Sequence, residues 1–234
     1  MPQALFLDLD GLLIDSEALW DEADRLFLFK YKVQDRKEIA GLKKFVMGRS
    51  PETVMSFYKE RFALEKDPAD LVREREDMVA HLFETRLIPM PGALDFLKRE
   101  KAEKRILCLV TGSTERLALL AIDKCSFKKY LDMIVTSCDI KAGKPEPEIY
   151  EKALEKTGVK AHRGLALEDS PNGVRAAKAA GIACMGVADK RFVEPGMLVA
   201  AGADFVVTGL DQVSNERMNK VMRQAMHEIQ KQAR

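Results

Sequence analysis

The chain has 234 residues, 47% hydrophobic and 32% charged, with 38 Lys+Arg against 37 Asp+Glu and a formal net charge of +1. That composition supports a packed core in one large domain, or in a domain carrying a smaller insertion. It offers no charge excess that would recruit nucleic acid or a membrane surface. No basic-then-apolar leader follows Met1 and no apolar run nears the roughly 18 residues of a membrane span, so the expectation is a cytoplasmic protein, with a monomer as the default.

In chain order, the first apolar run is ALFLDLD at residues 4–10, ending on two aspartates, Asp8 and Asp10. Further runs are RILCLVTG at 105–112, DMIVTS at 132–137, GLALED at 164–169 and IACMGVA at 182–188, with a weaker ADFVV at 203–207. Runs this short and this continuously apolar fit strands buried on both faces, as in a parallel sheet. Helical patterns alternate with them: STERLALLAIDKC, PEPEIYEKALEKTG and SPNGVRAAKAAG. Alternation of this kind predicts an α/β fold with a doubly wound, Rossmann-like parallel sheet and right-handed crossovers.

The interval 16–88 breaks the alternation. It holds only helical stripes: Leu19, Trp20, Ala23, Leu26 and Phe27; Ile39, Leu42, Phe45 and Val46; Val54, Met55, Phe57, Tyr58 and Phe62; and Met78, Val79, Leu82 and Phe83. We read it as an inserted α-helical cap domain, with residues 1–15 and 89–234 forming the core and IPMPG at 88–92 as the return hinge. The tail from residue 215 onward is amphipathic and predicts a last helix packed on the sheet. The four cysteines show no metal-ligand spacing; Cys108 and Cys184 fall inside strands as reduced core residues.

In such sheets, ligands bind beyond the C-terminal ends of the strands. That edge would gather Asp8 and Asp10 after the first strand, Thr111, Gly112 and Ser113 after the second, Lys144 before a helix, and Glu168 and Asp169 after the fourth. Two like charges one residue apart repel each other, and a water-poor site sharpens the repulsion. A hard cation relieves it. Carboxylate ligands without His or Cys suit Mg2+, and Lys144 with the amides after Thr111 suits phosphate oxygens near a helix N-terminus.

Four motifs in this order, DLDGLLIDSE, VTGS, GKPEPEIY and LEDSPNG, resemble the haloacid dehalogenase-like hydrolases. The similarity is strongest to the branch of phosphatases and phosphomutases related to β-phosphoglucomutase. The resemblance covers nearly the whole chain, the helical cap included. It implies that Asp8 is the nucleophile forming an aspartyl-phosphate, and that Asp10 protonates the leaving oxygen and later activates water. It also implies that Asp8, the backbone carbonyl of Asp10 and Asp169 bind Mg2+ with Glu168 close by, and that Thr111, Gly112, Ser113 and Lys144 hold the phosphoryl group. An acid at position 10 argues for ester cleavage, because halide leaves without a proton whereas an alkoxide needs one.

Other residues have competing readings. Ser170 reads as a helix cap; Asn172 reads as a cap or a phosphate contact, and is carried as a substrate-binding candidate. Trp20 reads as core ahead of site. Arg49 divides evenly between an anion contact and an exposed helix end, and His81, His162 and His227 read as surface residues. Members of the mutase branch usually carry a histidine near Trp20 and an arginine near Pro51, so the expected activity is a phosphatase acting on a small phosphorylated metabolite such as a sugar phosphate. A phosphohexomutase is the alternative. A non-enzymatic phosphoaspartate switch fits less well, being about half this length and without an insertion.

Overall fold

The computed structural model describes residues 1–33, 35, 39, 41, 42 and 51–232, with 228–232 described for the backbone only. Six parallel strands form one sheet in the order β3-β2-β1-β4-β5-β6. They are β1 (Ala4–Leu7), β2 (Ile106–Val110), β3 (Met133–Val135), β4 (Gly164–Glu168), β5 (Ala183–Val187) and β6 (Phe205–Val207). The first strand is central, pairing Ala4 with Ile106 on one side and with Gly164 on the other. The chain therefore winds outward from β1 in one direction and restarts at β4 in the other, which puts the topological switch point between β1 and β4.

The helices outside the 16–88 interval are α4 (Ala93–Ala102), α5 (Glu115–Lys124), α6 (Glu148–Thr157), α7 (Pro171–Ala179), α8 (Pro195–Ala200) and α9 (Asn215–Gln232). Side chains alternate across the sheet as a period of two requires. Leu5, Leu7, Leu107, Leu109, Leu165 and Leu167 pack with Phe96, Leu117 and Met218 of α4, α5 and α9. Ala4, Phe6, Cys108, Val110, Ala166 and Cys184 pack with Ile149, Tyr150 and Val174 of α6 and α7 on the opposite face. Both faces are thus covered, and this explains the unbroken apolar runs. The expected packing of the last helix is present, through Met218, Val221 and Met222.

Between β1 and β2 lie α1 (Glu17–Lys30), α2 (Pro51–Phe62) and α3 (Pro68–Arg86). They share a separate apolar cluster of Phe27, Leu28, Val54, Met55, Tyr58, Leu71 and Val72. Leu19, Ala23, Val79, Leu82 and Phe83 instead join the core beneath the sheet edge. Leu26, placed on the first buried stripe by its spacing, is exposed. The two passages between insertion and core run side by side: Asp15 N donates to Ile88 O at 3.0 Å and Met90 N to Leu13 O at 2.9 Å. Arg191 braces them, pairing with Asp15 at 3.0 Å and with Asp189 at 2.6 Å.

Candidate active site

The first strand is shorter than its apolar run, ending at Leu7. Beyond it, Asp8 N still donates to Leu167 O at 3.2 Å, and Leu9 O accepts from Leu13 and Ile14, so the chain coils into a tight turn. Gly11 sits in that turn at φ 75°, a region that L side chains avoid, and a Cβ there would lie 2.2 Å from Asp169 Oδ2. The turn therefore sets Asp8 and Asp10 against the end of β4.

Asp8 is buried and accepts from Lys144 Nζ at 2.6 Å. The same Nζ reaches Glu168 Oε1 at 2.6 Å and Val110 O at 3.2 Å, so this one ammonium bridges the ends of β1, β2 and β4. Glu168 is fully buried and is held further by the Tyr150 hydroxyl at 2.5 Å and the Ser170 hydroxyl at 3.3 Å. Carboxylate oxygens of Asp8, Glu168 and Asp169 lie within 4.8 Å of one another. Burial and the neighbouring carboxylates, partly offset by Lys144, push Asp8 up to about 8. Burial likewise drives Asp169 well above the usual carboxylate range, reinforced by Asp8, Glu168 and Glu17. Lys144 loses hydration through burial, but Asp8 and Glu168 outweigh that loss and hold its pKa above the ordinary lysine value.

Three buried carboxylates thus converge beside one ammonium that pairs with two of them, and a surplus of buried negative charge is costly unless a cation neutralises it. An all-oxygen donor set of this kind suits Mg2+. The side chain of Asp10 lies outside this group, and the ligand expected from this residue is its backbone carbonyl. The side chain turns the other way, accepting from Ser16 Oγ and Trp20 Nε1 at 2.7 Å each on one oxygen and from Ser113 Oγ at 2.8 Å on the other.

A cavity of about 970 Å³ opens between this edge and the inserted helices, and Asp8, Asp10, Thr111, Gly112, Ser113, Lys144 and Asp169 all line it. Ser113 lines it with its polar groups already engaged, the hydroxyl on Asp10 and the amide on Thr111 Oγ1 at 3.0 Å. Asn172 does not line the cavity; its Oδ1 accepts from Arg175 Nη1 at 3.0 Å, while Ser170 caps α7 by accepting from Gly173 N. Arg49 lies outside the described residues. The three histidines are exposed.

Trp20 packs against the core, as the preferred reading has it, and also reaches the site. Its ring packs edge-on against Phe83 at 6.0 Å and under the Arg75 guanidinium at 4.6 Å, yet its N–H ends on Asp10. Sequence reasoning also passed over Tyr150, which stands inside the quoted GKPEPEIY motif and braces Glu168. It passed over Thr114 as well, a residue of the cavity lining whose buried Oγ1 has no partner among the described residues. The position of Thr114, just before the first residue of α5, was the available signal.

A doubly wound sheet with paired acids at its switch point and a helical insertion above them defines a class of α/β hydrolases. Residues 5–187 match the family described as haloacid dehalogenase-like hydrolase, and the chain belongs to it. It is 30% identical over 180 residues to the phosphorylated carbohydrates phosphatase of Thermotoga maritima, covering 77% of this chain and 82% of that protein. It is 30% identical over 210 residues to the validoxylamine A 7'-phosphate phosphatase of Streptomyces hygroscopicus subsp. limoneus, covering 90% and 94%. Among solved structures, CbbY from Rhodobacter sphaeroides in complex with phosphate superposes with a TM-score of 0.76 at 25% identity, covering 91% of this chain and 96% of that one. The β-phosphoglucomutase of Clostridium difficile shares the fold, with a TM-score of 0.80 at 21% identity, covering 97% and 99%.

Proposed function

We propose that this chain is a Mg2+-dependent phosphatase that hydrolyses a small phosphorylated metabolite, of the sugar-phosphate class, through an aspartyl-phosphate on Asp8. The observation that carries it is the division of labour between two acids on one cavity: Asp8 is held by Lys144, and Asp10 by three neutral donors. The relatives named as phosphatases support hydrolysis over the mutase alternative.

Asp8, Glu168 and Asp169 would hold the cation, which when bound neutralises their charge and that of the phosphoryl oxygens. An Asp8 carboxylate oxygen attacks phosphorus while the ester P–O bond breaks, and Asp10 gives its proton to the departing alkoxide. Asp10, now a carboxylate, takes a proton from the water that attacks the phosphorus of the aspartyl-phosphate. The P–O bond to Asp8 then breaks, inorganic phosphate leaves, and both acids return to their starting states. Lys144, Thr111, Thr114 and the open backbone at Gly112 position the transferring group, where charge stabilisation supplies most of the rate.

Phosphate release from a panel of sugar and polyol phosphates, with Mg2+ or EDTA, tests the reading. Asp8→Asn is expected to reduce release to background and Asp10→Asn to reduce it by about 10²- to 10⁴-fold. Full activity in Asp8→Asn would refute the covalent route. Interconversion of hexose phosphates without release would assign the chain to mutase chemistry instead.

A further inference from the structure

The cavity extends far beyond the phosphoryl-handling edge. Its far wall belongs to the insertion, where Ile39, Leu42, Val54 and Val72 supply apolar surface beside the polar Asp24, Glu52 and Tyr58. Into that wall is set Glu76 of α3, only 9% exposed. Its neighbour Arg75 is committed to Asp24, at 2.5 and 3.0 Å, and does not serve it. Glu76 Oε1 is buried and has no hydrogen-bond partner among the described residues. A buried carboxylate oxygen without a donor costs stability, and folded proteins seldom leave one unless a ligand completes it.

We propose that Glu76 is a specificity-determining residue that accepts a hydrogen bond from a hydroxyl or ammonium group on the part of the substrate remote from its phosphate. The inference rests on the phosphatase reading and deepens it. Preferred substrates are phosphomonoesters whose distal end donates hydrogen bonds, polyols and amino sugars, while esters of plain alkyl alcohols are poor substrates. A buried acceptor beside apolar side chains discriminates strongly, because an alkyl group leaves the carboxylate desolvated and unpaired.

Glucose 6-phosphate, glucosamine 6-phosphate and hexyl phosphate are suitable probes, compared by kcat/KM in the wild type, Glu76→Leu and Glu76→Gln. In the wild type both sugar phosphates should exceed hexyl phosphate. In Glu76→Leu the ratio of glucose 6-phosphate to hexyl phosphate is expected to fall at least about tenfold. Glu76→Gln, nearly the same shape, should retain more of that ratio for glucose 6-phosphate than for glucosamine 6-phosphate, because it keeps an acceptor but loses the charge. If Glu76→Leu does not fold, the Glu76→Gln comparison decides. A purely structural role would leave the ratios unchanged in both variants and overturn the proposal.

Lack of phosphate release from all three esters by the wild type would count against the phosphatase reading, not against Glu76. In that event the three esters are titrated calorimetrically against Asp8→Asn and Asp8→Asn/Glu76→Leu in the presence of Mg2+. Loss of the sugar-over-hexyl preference in the double variant supports the assignment, and an unchanged preference overturns it.

Discussion

The indole of Trp20 packs on Phe83 and Arg75 while its N–H reaches Asp10, so core packing and the hold on Asp10 meet in one side chain. Trp20→Phe keeps the ring and deletes the donor. Because Ser16 still donates to the same oxygen, Asp10 loses aim rather than its place. Turnover is expected to fall about tenfold with KM within about twofold, the usual scale of one lost hydrogen bond to a charged group. Trp20→His, which restores a ring N–H, should recover part of the loss, and steady-state kinetics on the three proteins decides it. Asp8, Asp10, Thr111, Lys144, Glu168 and Asp169 were legible because strand ends converge in any doubly wound sheet. Trp20 and Glu76 were not, since their contacts depend on how each helix is rotated over the sheet, and spacing within one helix says nothing of that.

At the scale of elements, α3 organises the insertion. Arg75 is buried on Asp24, Phe83 reaches the core, and Glu74 gathers Lys30, Lys66 and the Tyr31 hydroxyl. Burial disfavours the charge on Glu74, but the hydrogen bonds from Lys30, Lys66 and Tyr31 overcome it and hold its pKa near 2. A carboxylate with a depressed folded pKa contributes stability that is complete above its unfolded value and vanishes as pH falls through the folded one. Both lysines are more than half exposed, which limits the contribution to about 1 kcal/mol. Glu74→Gln should therefore melt lower than the wild type at pH 7, and the gap should close as the pH is lowered from 4.5 towards 2. Thermal melts across that range check it. The helices were legible from their stripes, although Leu26 shows that a stripe can be drawn one position too wide.

Across the whole molecule, the parallel sheet, its six runs and the helical insertion were all readable, because a sheet covered on both faces leaves continuous apolar segments. What could not be read was which acids meet: sequence placed them at one edge, while only the fold shows Asp8, Glu168 and Asp169 converging, the first two on one lysine. Adding Mg2+ to EDTA-treated protein is expected to raise its stability by about 2.7 kcal/mol at a hundredfold excess over Kd. Asp169→Asn should lose most of that increment. Calorimetric melts with and without the cation measure both.

The side-by-side passages at Asp15 and Ile88 carry a consequence for how such proteins diversify. Where the chain leaves and re-enters the core, its two ends are already within hydrogen-bonding distance, at 3.0 Å. To the sheet, everything between them is a closed loop, and doubling the length of a flexible loop adds only about 0.6 kcal/mol of closure entropy. Helices can be lengthened, trimmed or replaced wholesale above the two aspartates without re-registering a single strand. Recognition of the alcohol and cleavage of its phosphate can then drift at independent rates, one lineage retaining its chemistry while exchanging its clientele.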